Sequence, residues 1–317
     1  MKILIIRFSS IGDIVLTTPV LRCLKQQLPE VTIHYCTKSS FKALLEPNPY
    51  IDKFHFLNES IAELVTELDK ENFDWVIDLH NNLRTFILKM KLGVPSKSFD
   101  KLNWEKWLLV NLKINRLPRI HIVDRYMHTV EHLAVNYDGM GLDHFIPDKD
   151  VVSISSLPKA FQKGYVVYAI GGQHETKKLP LVKMKELVEK MSLPLIVIGG
   201  KEDHQNGEEL EKHGKARRKD VIHYCGKLNL HQSASLIQQS QKVYSHDTGM
   251  MHVAAAFKKE IVSIWGNTVP EFGMYPFQTR YTSWEVKGLS CRPCSKIGFD
   301  ECPKGHFKCM NDQLLQD

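Results

Sequence analysis

The chain opens on an unbroken apolar run, Lys2–Arg7, and then changes period. From Gly12 to Gln27 the apolar residues Ile14, Leu16, Val20, Leu21 and Leu24 recur at helical spacing, which predicts one helix. Val31–Cys36 and the shorter Phe54–Leu57 read as strands. Between them and the next strand, Trp75–Leu79, Ile61, Leu64, Val65 and Leu68 mark a helix over Ser60–Lys70. The pattern blurs after Arg84 and recovers in a helix around Val123–Asn136. Pro147–Pro158 is rich in Asp, Lys and Ser, lacks any period, and predicts a linker. Beyond it the rhythm restarts. Strands are predicted at Tyr165–Ile170, Leu195–Ile198, Val221–Tyr224, Lys242–Ser245 and Ile261–Trp265. Helices are predicted at Leu181–Met191, Asp203–His213, Leu230–Gln239 and Met250–Phe257.

Short, wholly apolar strands alternating with helices belong to parallel sheets covered on both faces. The expected architecture is α/β: two Rossmann-like, doubly wound domains, residues 1–157 and 158–317, facing a central cleft. Ligands of such sheets bind outside the carboxyl ends of the strands, so the loops that follow strands are where chemistry is expected.

Composition narrows the class. The 317 residues are 43% apolar and 25% charged, ordinary globular values that exclude disorder and collagen-like repeats. No run approaches the ~18 apolar residues of a membrane span. The amino terminus lacks the pattern of a signal peptide, so a cytoplasmic protein is expected. Residues 1–150 carry 19 basic and 19 acidic side chains, and the whole +6 arises from the remainder. Within the neutral half, however, residues 84–125 hold ten basic against three acidic residues, with Phe86, Trp104 and Trp107 among them. Such a stretch suits either a solvated face or an anionic membrane or phosphorylated ligand.

Three loops could carry chemistry. Arg7-Phe8-Ser9-Ser10-Ile11-Gly12-Asp13 has one glycine, and strand two does not end on an acidic residue, so the dinucleotide fingerprint fails. Asp13 is left with two roles, helix cap or general base. Gly171 and Gly172 lead to Lys177, which with Pro180 at the first turn would stand at a helix N-terminus that favours phosphate. In Ser245-His246-Asp247-Thr248-Gly249-Met250-Met251-His252, a strand turns into an alanine-rich helix. Its first N–H groups would form an anion cradle, with Gly249 leaving room for a diphosphate. Cys23, Cys36 and Cys225 lie in apolar segments as inert core residues. Cys291, Cys294, Cys302 and Cys309 cluster near the carboxyl end, where ligation of a metal is favoured over disulfides in a reducing compartment.

With these segments in hand, the chain resembles the ADP-heptose:lipopolysaccharide heptosyltransferases of glycosyltransferase family 9. The matching stretches are Ile6–Pro19, Asp74–Arg84, His121–Tyr126, Thr176–Pro180, Asp247–His252 and the terminal cysteines. The resemblance implies the GT-B fold, with the acceptor bound by the first domain and the nucleotide sugar by the second. It implies Asp13 as catalytic base; Thr176, Lys177, Gln232, Asp247, Thr248, Gly249 and His252 as donor-binding residues; and Ser10, Arg84 and Arg125 as acceptor-binding residues. Gln232 departs from the Glu often found there, and an amide hydrogen-bonds hydroxyls without adding charge. Relatives also usually continue into a final helix after the cysteines.

The function so implied is an inverting transfer of heptose from ADP-heptose to the anionic, lipid-linked inner core of lipopolysaccharide. The protein would be cytoplasmic and peripheral at the inner membrane, with no nucleic-acid partner and no cofactor required for catalysis. The alternatives are a GT-B nucleotide-sugar epimerase and a non-catalytic nucleotide-sugar or nucleic-acid binding module. At the cysteines, structural zinc (His306 being a substitute ligand), disulfides and free thiols all remain open.

Overall fold

The computed structural model describes residues 1–58 and 60–316. By contacts the chain divides into two compact units: Met1–Leu102 with Ile120–Phe145, and Asn103–Arg119 with Ile146 onward. The sequence expectation was a single division at 157/158; instead the chain changes units at 102/103, 119/120 and 145/146.

The first unit holds five parallel strands, β1 Lys2–Ile6, β2 Thr32–Thr37, β3 Lys53–Phe56, β4 Trp75–Asp78 and β5 Ser96–Ser98, in the order β3-β2-β1-β4-β5. Its helices are α1 Ile11–Val15, α2 Thr18–Gln27, α3 Lys42–Leu45, α4 Ile61–Asp69 and α5 Leu83–Leu92, with α7 Ile122–Met127 returning after the excursion into the second unit. The single helix expected over Gly12–Gln27 is broken at Leu16–Thr17. Pro19 has no N–H to give Val15, so the chain restarts with Pro19 in the first turn of α2, where none is needed. The Thr17 and Thr18 hydroxyls take up the carbonyls of Ile14 and Val15 instead, at 2.7 and 2.8 Å. Ser60 caps α4 by accepting from Glu63 N, and Asn82 caps α5 through Thr85 N. Leu4, Ile6, Cys36, Leu57, Leu64, Leu68 and Leu88 form the core on the α4–α5 side of the sheet.

The second unit holds six parallel strands in the order β11-β10-β9-β6-β7-β8. They are β6 Val166–Ala169, β7 Leu195–Ile198, β8 Val221–His223, β9 Lys242–His246, β10 Glu260–Trp265 and β11 Tyr281–Glu285. The helices are α8 Leu181–Lys190, α9 His204–Ala216, α10 Leu230–Gln239, α11 Gly249–Ala256 and the short α12 Lys308–Asn311. To these the excursion adds α6 Asn103–Trp107 and a π turn, Leu108–Leu112. Leu109 packs there against Val269 and Phe272, which ties residues 103–119 to this unit. The expected linker is a pair of single 3-10 turns at Asp148–Asp150 and Ile154–Ser156.

Candidate active sites at the two sheet switch points

Strand order reverses direction between β1 and β4 in the first sheet and between β6 and β9 in the second. At such a point the flanking helices diverge to opposite faces and leave a crevice at the carboxyl ends. The loops after these four strands therefore decide what each unit can bind.

In the first unit the loop after β1 carries Arg7, Ser10 and Asp13. Arg7 is buried, and every arm of its guanidinium is used. Nε donates to Ser9 O at 2.7 Å, and Nη1 to Leu79 O at 2.6 Å and the Tyr126 hydroxyl at 3.1 Å. Nη2 meets Asp13 Oδ1 at 2.6 Å. Burial works against that charge, yet Asp13 and the Tyr126 and Tyr35 hydroxyls outweigh it and hold the Arg7 pKa above its ordinary value. Asp13 Oδ2 accepts from Ser10 Oγ at 2.8 Å and Ser10 N at 3.2 Å. Asp13 thus sits at the third position of α1 and completes a capping box, while its other oxygen is clamped by a buried cation. From the turn after β4 comes His80, its ring centroid 5.1 Å from that of Phe8. Burial, then the charges of Arg7 and Lys101, lower its pKa to about 4, so the imidazole is neutral at pH 7. Asp78, fully buried, anchors the same turn by accepting from His80 N and Asn81 N and pairing with Lys89 at 2.8 Å.

In the second unit the loop after β6 meets the loop after β9. A Cβ on Gly172 would lie 3.2 Å from Thr248 Cγ2 and 3.3 Å from Lys178 Cγ, so the two loops approach closely here and a larger residue would have to push a side chain aside by a few tenths of an ångström. Lys177 Nζ pairs with Asp247 Oδ2 at 2.7 Å and donates to Asp247 O at 3.3 Å; Thr268 Oγ1, after β10, donates to the same Oδ2 at 2.8 Å. Thr248 is the N-cap of α11, and Gly249 its first residue. His246 Nε2 accepts from Leu179 N at 3.0 Å, and burial lowers its pKa to about 3, so it serves as a neutral strut between the two loops.

A model of glycosyltransferase family 9 (heptosyltransferase) matches residues 61–303. The chain belongs to glycosyltransferase family 9. It is 25% identical over 290 residues to lipopolysaccharide heptosyltransferase 1 of Campylobacter coli, covering 84% of each chain. Among solved structures it resembles E. coli ADP-heptose LPS heptosyltransferase II (TM-score 0.71, 18% identity, 98% of each chain). It also resembles E. coli heptosyltransferase WaaC solved with ADP-2-deoxy-2-fluoro heptose (TM-score 0.67, 20% identity, 89% of this chain and 92% of that one). The fold is GT-B, and the protein is a glycosyltransferase.

Against this family frame, the expected residues divide. Asp13 and Ser10 lie together at the first switch point, and Lys177, Asp247, Thr248 and Gly249 at the second. Lys177 does not stand at a helix N-terminus: it ends a 3-10 turn, and α8 begins only at Leu181, with Pro180 as its N-cap. Thr176 turns away, its hydroxyl exchanging hydrogen bonds with Phe299 O and N at 3.0 and 2.8 Å. Gln232 Oε1 accepts from Asn229 N at 3.0 Å, in the capping box of α10. His252 is buried within α11. Arg84 is exposed on α5, whereas Arg125 is buried and donates to Asp100 O at 3.1 Å.

The cysteine segment is bolted to the donor-side loops. Arg292 donates to Gly266 O at 2.7 Å and Thr268 O at 2.9 Å and pairs with Glu285, and Cys294 N donates to Asn267 O. All seven cysteines are free thiols in this structure. Cys291 Sγ lies 3.7 Å from His306 Nε2. Burial first, and Cys291 beside it, raise the Cys294 thiol to about 11; burial and Cys294 raise Cys309 to about 12. Among the described residues no three of these sulfurs come within 4.8 Å of one another.

Arg7, Tyr126, Asp78 and His80 carried no assigned role in the sequence reading. The signal for Arg7 was a charged residue ending a buried strand just before a cleft loop. For Asp78 it was a carboxylate closing the apolar run Trp75-Val76-Ile77.

Proposed function

We propose that this glycosyltransferase moves a heptose from ADP-heptose to an anionic, lipid-linked sugar of the lipopolysaccharide core, with inversion. The observation that carries the reading is the Asp13 carboxylate, held between Arg7 and Ser10 at the carboxyl ends of β1 and β4. Asp13 takes the proton of the acceptor hydroxyl as that oxygen attacks the anomeric carbon. The bond from that carbon to the diphosphate breaks on the opposite face, and ADP leaves. An acceptor hydroxyl competes for Oδ2 with Ser10, an exposed residue whose own hydroxyl can turn to the incoming oxygen. Lys177 exchanges Asp247 for the diphosphate and stabilises its growing charge, together with the N–H groups at the start of α11. These groups do the work a divalent cation does elsewhere. The relatives support this donor and acceptor: one is named for lipopolysaccharide heptose transfer, and another was solved with an ADP-heptose analogue.

The test is transfer by the full chain from ADP-heptose to heptose-free core lipid, with the anomeric configuration of the product read by NMR. A product of inverted configuration supports the reading. ADP-heptose left unchanged beside that acceptor sinks it, and acceptor-independent change of the sugar would indicate an epimerase.

The proposal extends to location and metal. No helix among the described residues is long and apolar enough to cross a membrane. α5 instead exposes Leu83, Phe86 and Met90, three and four residues apart, beside the exposed Arg84 and Lys91. That face suits peripheral contact with the anionic inner leaflet, and sedimentation with phosphatidylglycerol vesicles, lost in a Phe86→Ser/Met90→Ser variant, tests it. Cys291, Cys294, Cys302 and Cys309 are proposed to hold a structural zinc. The support is their clustering along a segment poor in apolar residues; a shared ion requires the sulfurs to draw closer than they lie here, and elemental analysis of chain purified without added metal decides it.

A further inference from the structure

The side of the first sheet that α4 and α5 cover is largely apolar, but besides Asp78, which Lys89 neutralises, it buries two histidines. In the strand register Leu4 stands beside His34, and Ile6 and Cys36 beside His55, so both histidines share the buried face with those core residues. Each ring meets the edge or face of Phe73. Two buried imidazoles in a core face need partners. His34 Nδ1 lies 2.9 Å from His55 Nε2, and Glu71 Oε2, from the turn after α4, lies 3.9 Å from His34 Nδ1. One ligand atom from each of the three falls within 4.8 Å of the others, the one such trio of His, Cys, Asp or Glu among the described residues. Outside it, His55 Nδ1 faces Glu67 Oε1 at 2.5 Å. A carboxylate there keeps the ring proton on Nδ1 and aims the Nε2 lone pair inward, the arrangement that orients histidines bound to metals.

We propose that His34, His55 and Glu71 bind a divalent transition-metal ion of the zinc class, with Glu67 orienting His55. Zinc takes imidazole nitrogens at about 2.0–2.1 Å, which sets two tetrahedral ligands roughly 3.3 Å apart. The histidine nitrogens need to part by only a few tenths of an ångström. Nitrogen donors select this class over magnesium or calcium. On binding, the proton that His34 Nδ1 shares with His55 moves to His34 Nε2, and no other proton need move.

The protonation states favour it. Burial, then His55, lower the His34 pKa to about 4, so its ring is neutral at pH 7. A hydrogen bond from Lys53 outweighs burial and, with Lys2, lowers Glu71 to about 2, so its carboxylate is ionised. Those two lysines are the competitors. Lys53 is half exposed and free to swing into water, while Lys2 Nζ also holds Glu71 O at 2.7 Å and can stay there. The site therefore binds more weakly than one with no cation at its rim.

Cobalt(II) in place of zinc separates this site from the cysteines. Sulfur ligands give cobalt an intense near-ultraviolet charge-transfer band, whereas imidazole and carboxylate ligands give visible d–d bands alone. Titration of the full, reduced chain is expected to show about one equivalent of the second kind. His34→Gln and Glu71→Gln should each weaken it at least tenfold and leave any charge-transfer band unchanged. Melting without metal reports whether the variants fold, and zinc should raise the melting temperature of the parent chain through this site more than that of either variant. The inference is overturned if the parent chain takes up no cobalt beyond the sulfur-ligated fraction. It is equally overturned if folded variants bind as the parent does, since the trio would then be a hydrogen-bonded strut only.

Discussion

Arg7 and Asp13 form an ion pair at 2.6 Å in which the cation is buried and the anion reaches the crevice. The pair makes Asp13 a structural as well as a chemical residue. A carboxylate that only caps a helix is worth about 1 kcal/mol, but one that neutralises a buried guanidinium is worth more, because its removal strands a charge.

Asp13→Asn is therefore expected to do two things. The amide oxygen can still accept from Ser10 N but cannot take a proton, so turnover should fall about a hundredfold or more with ADP binding retained. Stability should drop by about 3 kcal/mol, through the uncompensated Arg7 charge. Urea unfolding and single-turnover kinetics on the same preparation check both. A stability change under about 1 kcal/mol would mean that Arg7 finds another partner.

Arg7→Lys keeps the charge and loses the fork. An ammonium cannot reach Ser9 O, Leu79 O, the Tyr126 hydroxyl and Asp13 together. We expect kcat to fall about tenfold with the KM for donor unchanged, since Arg7 positions Asp13 and touches no phosphate. A change confined to donor KM would move Arg7 into a binding role.

Lys177→Ala removes the partner of both Asp247 and the diphosphate. ADP affinity should fall by about 1.5–3 kcal/mol, the range for a hydrogen bond to a charged group, while adenosine binds as before. Calorimetric titration with the two ligands separates these outcomes. Equal loss for both would show that the lysine acts through the fold of the loop.

His246 and His34 predict acid sensitivity of the fold. Their folded pKa values, about 3 and about 4, lie below the unfolded value near 6.5. Between those limits the unfolded chain binds the extra protons, so the contribution is complete above pH 6.5 and is lost as pH falls toward the folded values. Each group adds a slope of up to about 1.4 kcal/mol per pH unit in that window. His246→Gln, whose amide oxygen can still accept from Leu179 N, should flatten the fall in urea midpoint between pH 7 and pH 5.

The alternation of strands and helices was legible because strands buried on both faces, such as Val166–Ala169 and Leu195–Ile198, are apolar without interruption. β5 was not, since Ser96-Lys97-Ser98 is an exposed edge with no apolar signal, and β11 at the other sheet's edge is only partly buried. Asp13, Lys177 and Asp247 could be found because local order, a loop after a strand, places them at the crevice. What the sequence hides is pairing at a distance. Arg7 with Tyr126, Thr176 with Phe299 and His34 with Glu71 are joined by topology, and no spacing rule connects residues so far apart along the chain. Thr176 shows the effect best, for its neighbour Lys177 meets Asp247 while its own hydroxyl is spent on the cysteine segment.

Residues 103–119 leave the first unit, lay Leu109 against Val269 and Phe272, and return at Ile120. Neither half of this enzyme is thus a continuous stretch of its gene. A fragment stopped at the apparent linker would carry Leu109 into solvent, and the complementary fragment would leave Val269 and Phe272 bare. A protease nick at any one of the three crossings would leave the halves still joined by the other two. Separating them takes at least three cuts, and recombining family members by exchange at one point would interrupt a core rather than swap a module.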